Sequence, residues 1–314
     1  MAMNRIQFQQ GMSLPEFLAA FGNEGQCERA LMAVCWPRGW SCPRCAHRTF
    51  YRLKRGSHGG FQCQGCKYQV SITAGTMMAA TKLPLTTWFL AIFLISHAKN
   101  GISSLELKRQ LGVSYPAAWL IHQKILAATA ERDDTHRLDG DVLVDDAYLG
   151  GEIAGAKAGR GSPNKVPLVA AVSLSEDGRP RYAKLSQVSG FTVDAITAWT
   201  TANLRPGCHV HSDGLACFGA VAFAGATHSC TVVGGRLPSE RPKFRWVNTV
   251  LGNLKTAFSG THHAFNFAKY AHRSLAGYVY RLNRPFNLRS LTPGLIFDVA
   301  RRAEVGKDHQ PGCG

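Results

Sequence analysis

Apolar and polar positions along the chain alternate between helical and strand-like spacing, and the changes mark out its elements. Leu14, Phe17, Leu18 and Phe21 recur at helical intervals, as do Ala30, Leu31 and Val34, so residues 14 to 36 read as helical. Ser13 with Glu16 has the pattern of a capping box at the start of that region. Short strand-like runs follow at Thr49–Leu53 and Tyr68–Val70, with a glycine turn at Gly59-Gly60 between them. From Leu83 to Ala130 the spacing is helical again. Its most apolar run, Trp88–Ile95, is too short to span a bilayer and reads as a core helix. Leu105–Ser114 and Ala117–Ile125 then read as two helices joined by a tight turn at Gly112, with Ser114 as the cap of the second.

Beyond Asp139 the pattern is that of strands. Val142–Gly151 begins with branched apolar residues and stops at two glycines. A Gly/Lys/Arg loop from Ala154 to Lys165 separates it from a strand at Val166–Leu174, and Asp177-Gly178 turns that strand back into Arg181–Leu185. Thr192–Ala202 reads as an amphipathic helix, Cys208–Gly214 as a strand ending in an acid, and Ser229–Val233 as a shorter strand. Helices follow from about Val247, with Val247, Val250, Leu251, Leu254 and Phe258 as the buried face. Three antiparallel strands, a helix, a strand, a helix, a strand and a late helix is the element order of a ribonuclease H-like domain.

Charge changes the picture. The 314 residues carry a formal net charge of +16 and a sequence pI near 9.7, which points to a polyanionic partner. The basic residues come in blocks. No Asp or Glu occurs between Glu28 and Glu106, or between Glu240 and Asp298, although both spans are rich in Arg and Lys. Such blocks suggest surfaces that face phosphates. The first residues are polar and lack the apolar core of an export signal, so a cytoplasmic, nucleoid-associated protein that does not enter a membrane is expected.

Two constellations carry chemistry. Cys42-Pro43-Arg44-Cys45 and Cys63-Gln64-Gly65-Cys66 are paired C-x2-C turns, and four thiolates at this spacing make a closed shell for one structural Zn²⁺. A shell without an open position folds its module and does not catalyse. The second constellation is acidic. Asp145 and Asp146 sit where the first strand of the sheet runs out, and strand alternation predicts that they point to opposite faces. Asp213 ends a later strand, so Asp145 and Asp213 are expected at one edge of the sheet. There, two carboxylates can bridge a pair of divalent ions for phosphoryl transfer. Asn248 and Lys255 are seven residues apart on the late helix and therefore share a face.

These motifs, in this order, resemble a bacterial insertion-sequence transposase of the DDE type with an N-terminal zinc ribbon. The resemblance rests on Trp36-Pro37 before the Cys42–Cys45 pair, Leu111–Ser114 with Ala118-Trp119, Val144–Gly151, Ser212–Gly214, Trp246–Thr249 with Lys255, and Tyr280–Arg284. It implies an α+β multidomain chain: a helical segment at 1–36, a zinc ribbon at 37–75, a helix-turn-helix region at 76–135, a ribonuclease H-like α/β catalytic domain at 136–300 and a tail at 301–314.

It further implies that Asp145 and Asp213 are the first two acids and that Asn248 stands in the place of the third, followed by Lys255. Together with Mg²⁺ or Mn²⁺ these residues would cut and join double-stranded DNA, at transposon ends and at a target, as a homo-oligomer on the DNA. Tyr115, Trp119 and His122 on the second helix of the helix-turn-helix, with Arg44 and Lys67 of the ribbon, would contact DNA. The chain departs from the family where Asp146-Ala147 replaces the usual Glu-Thr. A non-catalytic DNA-binding regulator built from the ribbon and helix-turn-helix, an inactive relic of a transposase, and a structure-selective nuclease on the same fold are the alternatives.

Overall fold

The computed structural model describes residues 11–53, 59–150, 165–231, 244–261, 266–283 and 288–300. The loop Ala154–Asn164, Val232 and Val233 of the shorter strand, Arg284 and the tail 301–314 lie outside the described residues. The chain forms two units: Met1–His97 with Ser104–Ala128 and Phe286–Gly314, and Ala98–Ser103 with Thr129–Pro285.

The first unit begins with α1 (Leu14–Phe21) and α2 (Glu24–Cys35). Ser13 caps α1 in the expected capping box with Glu16, and Asn23 does the same for α2 with Gln26. The Glu24 carboxylate accepts hydrogen bonds at 3.0 and 2.8 Å from the backbone N–H groups of Leu85 and Thr86, at the start of α3 (Leu85–His97). The apolar run foreseen in α3 is indeed core: Phe89, Ala91 and Ile92 are fully buried. Phe17 packs against Phe93 with ring centroids 4.6 Å apart and Phe21 against Phe89 at 5.3 Å, both tilted, which fixes α1 against α3. Two further helices, α4 (Ser104–Leu111) and α5 (Tyr115–Thr135), are joined through Gly112, whose φ of +66° a side chain would strain.

The ribbon lies in the same unit. Its strands β1 (Phe50–Leu53), β2 (Gly60–Cys63) and β3 (Gln69–Ser71) form an antiparallel sheet in that order. Phe61 is buried beneath Trp36 and Phe50, with ring centroids at 5.5 and 4.9 Å in edge-to-face contact.

The second unit is a five-stranded sheet. Its strands are β4 (Asp141–Leu149), β5 (Val166–Leu174), β6 (Pro180–Gln187), β7 (His209–Ser212) and β8 (Thr227–Cys230), in the order β6-β5-β4-β7-β8. β4, β5 and β6 are antiparallel neighbours, while β7 and β8 run parallel to β4. On one face α7 (Arg245–Thr261) and α8 (Phe267–Leu282) bury Val247, Val250, Leu251, Leu254 and Phe258 against Leu143, Leu168 and Ala170. That is the helix face anticipated from spacing. On the other face α6 (Val193–Asn203) and a 3-10 helix at Ala216–Ala224 pack Ile196, Trp199, Phe218 and Val221 on Val142, Val144 and Val169. Burial on both faces explains why β5 reads as a continuous apolar run rather than an alternating one. α9 (Leu291–Ala300) returns to the first unit, where the Ser96 hydroxyl meets that of Thr292 at 3.0 Å.

Three expectations need correction. β8 begins at Thr227, ahead of the run expected at Ser229. The element between β7 and β8 is a 3-10 helix, ended by Gly225 at φ +79°. His122, expected to face DNA, is buried at 6% exposure, and its Nδ1 lies 2.9 Å from the Ser104 hydroxyl of α4. The spacing that puts Ala118 and Ile121 in the core carries His122 inward with them, because neighbouring helical positions differ by about 100°.

Candidate functional site

β4 and β7 are parallel neighbours, and Val144 pairs with Ser212 where β7 ends. The connections on the two sides of β4 leave in different directions: β5 returns antiparallel, and β7 is reached only after β6 and α6. Ligands of open α/β sheets bind outside the carboxyl ends of the strands at such a switch point. Asp145 and Asp146 lie in the middle of β4, which continues beside β5 to Leu149 instead of running out at the acids as the sequence suggests, but they stand just past the level at which β7 ends, and Asp213 follows β7 directly. Gly214, at φ +101°, then turns the chain away in a conformation that favours glycine.

One oxygen from each of Asp145, Asp146 and Asp213 lies within 4.8 Å of the other two, and all three residues are half-buried. Strand alternation predicts Asp145 beside Asp213 and Asp146 on the far face, so the inclusion of Asp146 corrects that expectation. Its reason is the length of β7. Among the described residues no strand lies beside β4 past Ser212 on that side, so side chains from both faces can curl toward Asp213 there. Asp146 keeps a foothold on its own face: burial raises the Cys217 thiol above its ordinary pKa, and the charges of Asp146 and Asp213 raise it further. The Asp145 carboxylate is held by the backbone N–H of Asp146, which donates to Oδ1 at 3.0 Å. The N–H of Leu215 points at Asp213 Oδ1 at 3.4 Å. Hard oxygen donors of this kind suit Mg²⁺ or Mn²⁺.

Asn248 and Lys255 lie on α7, the helix that packs over the face of β4 bearing Leu143, Asp145 and Ala147. Asn248 is half-buried, and its amide nitrogen is buried without a hydrogen-bond partner among the described residues. Lys255 is exposed.

The ribbon thiols fit the second expected metal. Cys42, Cys45, Cys63 and Cys66 bring their sulfurs within 4.8 Å of one another, with Cys42–Cys66 at 3.6 Å and Cys45–Cys63 at 3.5 Å. A tetrahedron of Zn–S bonds of about 2.3 Å has edges of about 3.8 Å, so these thiolates need hardly move to close on one structural zinc ion. Each pair is a self-contained knuckle. Ala46 and Lys67, the residues after the second cysteine of each pair, have φ of 59° and 60°, and their N–H groups bond Cys42 and Cys63 carbonyls at 2.9 and 3.1 Å. Lys67 is exposed and donates to the Gln64 carbonyl at 3.1 Å; Arg44, within the other cysteine pair, is exposed too. On α5, Tyr115 is 48% exposed and Trp119 half-buried.

A mixed sheet in which β4 lies between its antiparallel neighbour β5 and its parallel neighbour β7, with helices on both faces and acids at the switch point, is the plan of the ribonuclease H-like nucleic-acid enzymes. Residues 137–283 match the ISXO2-like transposase domain, and residues 22–69 match the transposase zinc-ribbon domain. The chain belongs to the DDE-type insertion-sequence transposases that carry an N-terminal zinc ribbon. Two solved structures, a pre-cleavage Mos1 transpososome and the Mos1 strand transfer complex, are 9% and 11% identical to it. Each alignment covers 69% of this chain, and 80% and 79% of the respective structures, at a TM-score of 0.25, a likeness too slight to carry argument. No curated protein matches the sequence. Among the described residues no helix is long and apolar enough to cross a membrane.

Proposed function

We propose that this transposase binds the terminal inverted repeats of its own element, cuts there in a metal-dependent reaction and joins the freed ends to target DNA. The observation that carries this reading is the convergence of Asp145, Asp146 and Asp213 where β7 ends beside its parallel neighbour β4. A divalent cation held by such oxygens activates water and stabilises charge on the leaving oxygen. Asp145 and Asp213 hold the ions in this reading. Asp146 supplies a third negative charge, offsetting the neutrality of Asn248. The orphaned amide of Asn248 supports a role for it: an amide turned by 180° presents its oxygen where its nitrogen was, and that oxygen can serve a cation or a bound water. Lys255, on the same helical face and exposed, contacts a phosphate.

The reaction balances in two displacements. Water attacks a phosphodiester at the element's end, the P–O3′ bond breaks, and a 3′-OH is released. That hydroxyl then attacks a target phosphodiester, forming one P–O bond as another breaks. Two ends must be joined to one target, so a homo-oligomer on double-stranded DNA follows. Tyr115, Trp119, Arg44 and Lys67 are the candidates for DNA contact, together with the basic blocks of the sequence. A regulator that only binds DNA would leave the three acids without a task.

Incubating the protein with DNA carrying the element's own ends, a target plasmid and Mg²⁺ or Mn²⁺ tests the proposal. Joined products are expected. Cut but unjoined products would reduce the protein to a nuclease, and bound but uncut DNA would make it a regulator or a relic.

A further inference from the structure

On the same two strands, at the opposite end from the acids, lies a second set of metal-ligand types. Asp141 opens β4 and pairs with His209, the first residue of β7; His211 follows one alternation later on the same face. Asp141, His209 and His211 each offer one ligand atom within 4.8 Å of the others. His209 Nδ1 lies 3.2 Å from Asp141 Oδ1, and His211 Nε2 lies 3.4 Å from the same oxygen. These separations are those of a shell already drawn together, since ligands bound at about 2.0–2.1 Å in a tetrahedron stand about 3.3 Å apart.

The far side of the His209 ring supplies an independent sign. Its Nε2 is 2.7 Å from the hydroxyl of Ser229, on the neighbouring strand β8. A hydroxyl partner of this kind holds the ring's orientation, and in the tautomer whose Nε2–H donates to Ser229 the other nitrogen's lone pair is left for an ion. In that tautomer Nδ1 turns its lone pair to Asp141 Oδ1 at 3.2 Å, an arrangement of two acceptors that a cation between them stabilises. The side chains are 58% exposed at Asp141, 41% at His209 and 14% at His211, so a fourth position is open to water.

We propose that Asp141, His209 and His211 form a binding site for a zinc-class divalent ion, separate from both the ribbon and the acid cluster. Two imidazoles and one carboxylate select Zn²⁺ or a similar transition ion over Mg²⁺, which takes oxygen ligands. An ion there ties the start of β4 to the start of β7, the strands that carry Asp145 and lead into Asp213.

The test is a zinc titration of the full-length protein with the ribbon's ion in place, read by metal content and by thermal stability. Wild-type protein should take a second equivalent of Zn²⁺ and gain stability as it does so, whereas Mg²⁺ should give neither response. Asp141→Asn, an exposed and conservative change, should keep the ribbon's ion and lose the second. Ser229→Ala should retain the site at about tenfold weaker affinity, the effect of removing a partner that orients a ligand. Asp213→Asn should still take two. With Co²⁺ in place of Zn²⁺, the second equivalent should show visible absorption without the thiolate charge-transfer band of the ribbon. A wild-type protein that stops at one equivalent overturns the proposal and leaves the three residues a hydrogen-bonded triad. Loss of the second equivalent in Asp213→Asn, with retention in Asp141→Asn, overturns it too, since the ion would then sit on the acids.

Discussion

In the ribbon, each pair of thiols sits on one short turn that closes on itself. Ala46 and Lys67 return their N–H groups to the carbonyls of Cys42 and Cys63, and the N–H groups of Arg44 and Cys66 point at the sulfurs of Cys42 and Cys63 at 3.4 and 3.5 Å. In the sheet, by contrast, Asp213 meets Asp145 and Asp146 only because β7 pairs with β4 and stops at Ser212. The first arrangement is local and depends on its ion, for the three short strands of the ribbon enclose little beyond Phe61 and its aromatic neighbours. The second is held by a core on both faces of a sheet whether or not an ion is bound. Metal therefore belongs to folding in one region and to chemistry in the other.

The largest expected effect is on the ribbon. Cys63→Ser should release about one zinc per chain and unfold the ribbon, since binding of a structural zinc contributes on the order of 10 kcal/mol. Metal analysis with limited proteolysis checks this, and the comparison breaks if the sheet is digested as readily as the ribbon. Next comes Asp213→Asn, which removes a ligand charge and little volume. Cleavage should fall by about a thousandfold or more, the equivalent of roughly 4 kcal/mol, with DNA binding and thermal stability nearly unchanged. A variant that unfolds would mean the acids belong to the scaffold after all. The smallest effect is expected at Asp146. Asp146→Asn should slow cleavage by roughly ten- to a hundredfold and raise the Mg²⁺ concentration needed for half-maximal rate, because a third charge helps hold the ions while two others remain. If Asp146→Asn cleaves at the parental rate and at the parental Mg²⁺ requirement, only Asp145 and Asp213 matter.

Much of this was legible in the chain itself. The capping box at Ser13, the buried faces of α3 and α7, the bounds of β5 and the two cysteine knuckles all follow from spacing between near neighbours, which local geometry turns directly into structure. Asp213 follows the end of its strand as the spacing suggests, whereas Asp145 lies mid-strand in β4, which continues to Leu149. What failed were two inferences about which side of an element a polar group finally uses. His122 was assigned outward on a helix that buries it against Ser104, and Asp146 was assigned away from an edge it curls around. The Asp141–His209–His211 group carried a signal that could have been used, a histidine pair alternating along a strand that ends in an acid, but its third member stands on another strand.

The sequence by itself determined the elements, the ribbon's ligand set and the family pattern, because each of these depends on residues a few positions apart whose relation is fixed by the period of a helix, a strand or a turn. Only the tertiary structure decided that β7 pairs parallel to β4 and ends one residue before Asp213, and hence that three carboxylates rather than two share the switch point. Strand pairing and strand length are set by packing on both faces of the sheet. A carboxylate's final direction depends on whether a neighbouring strand occupies the space beside it, and no local spacing encodes that.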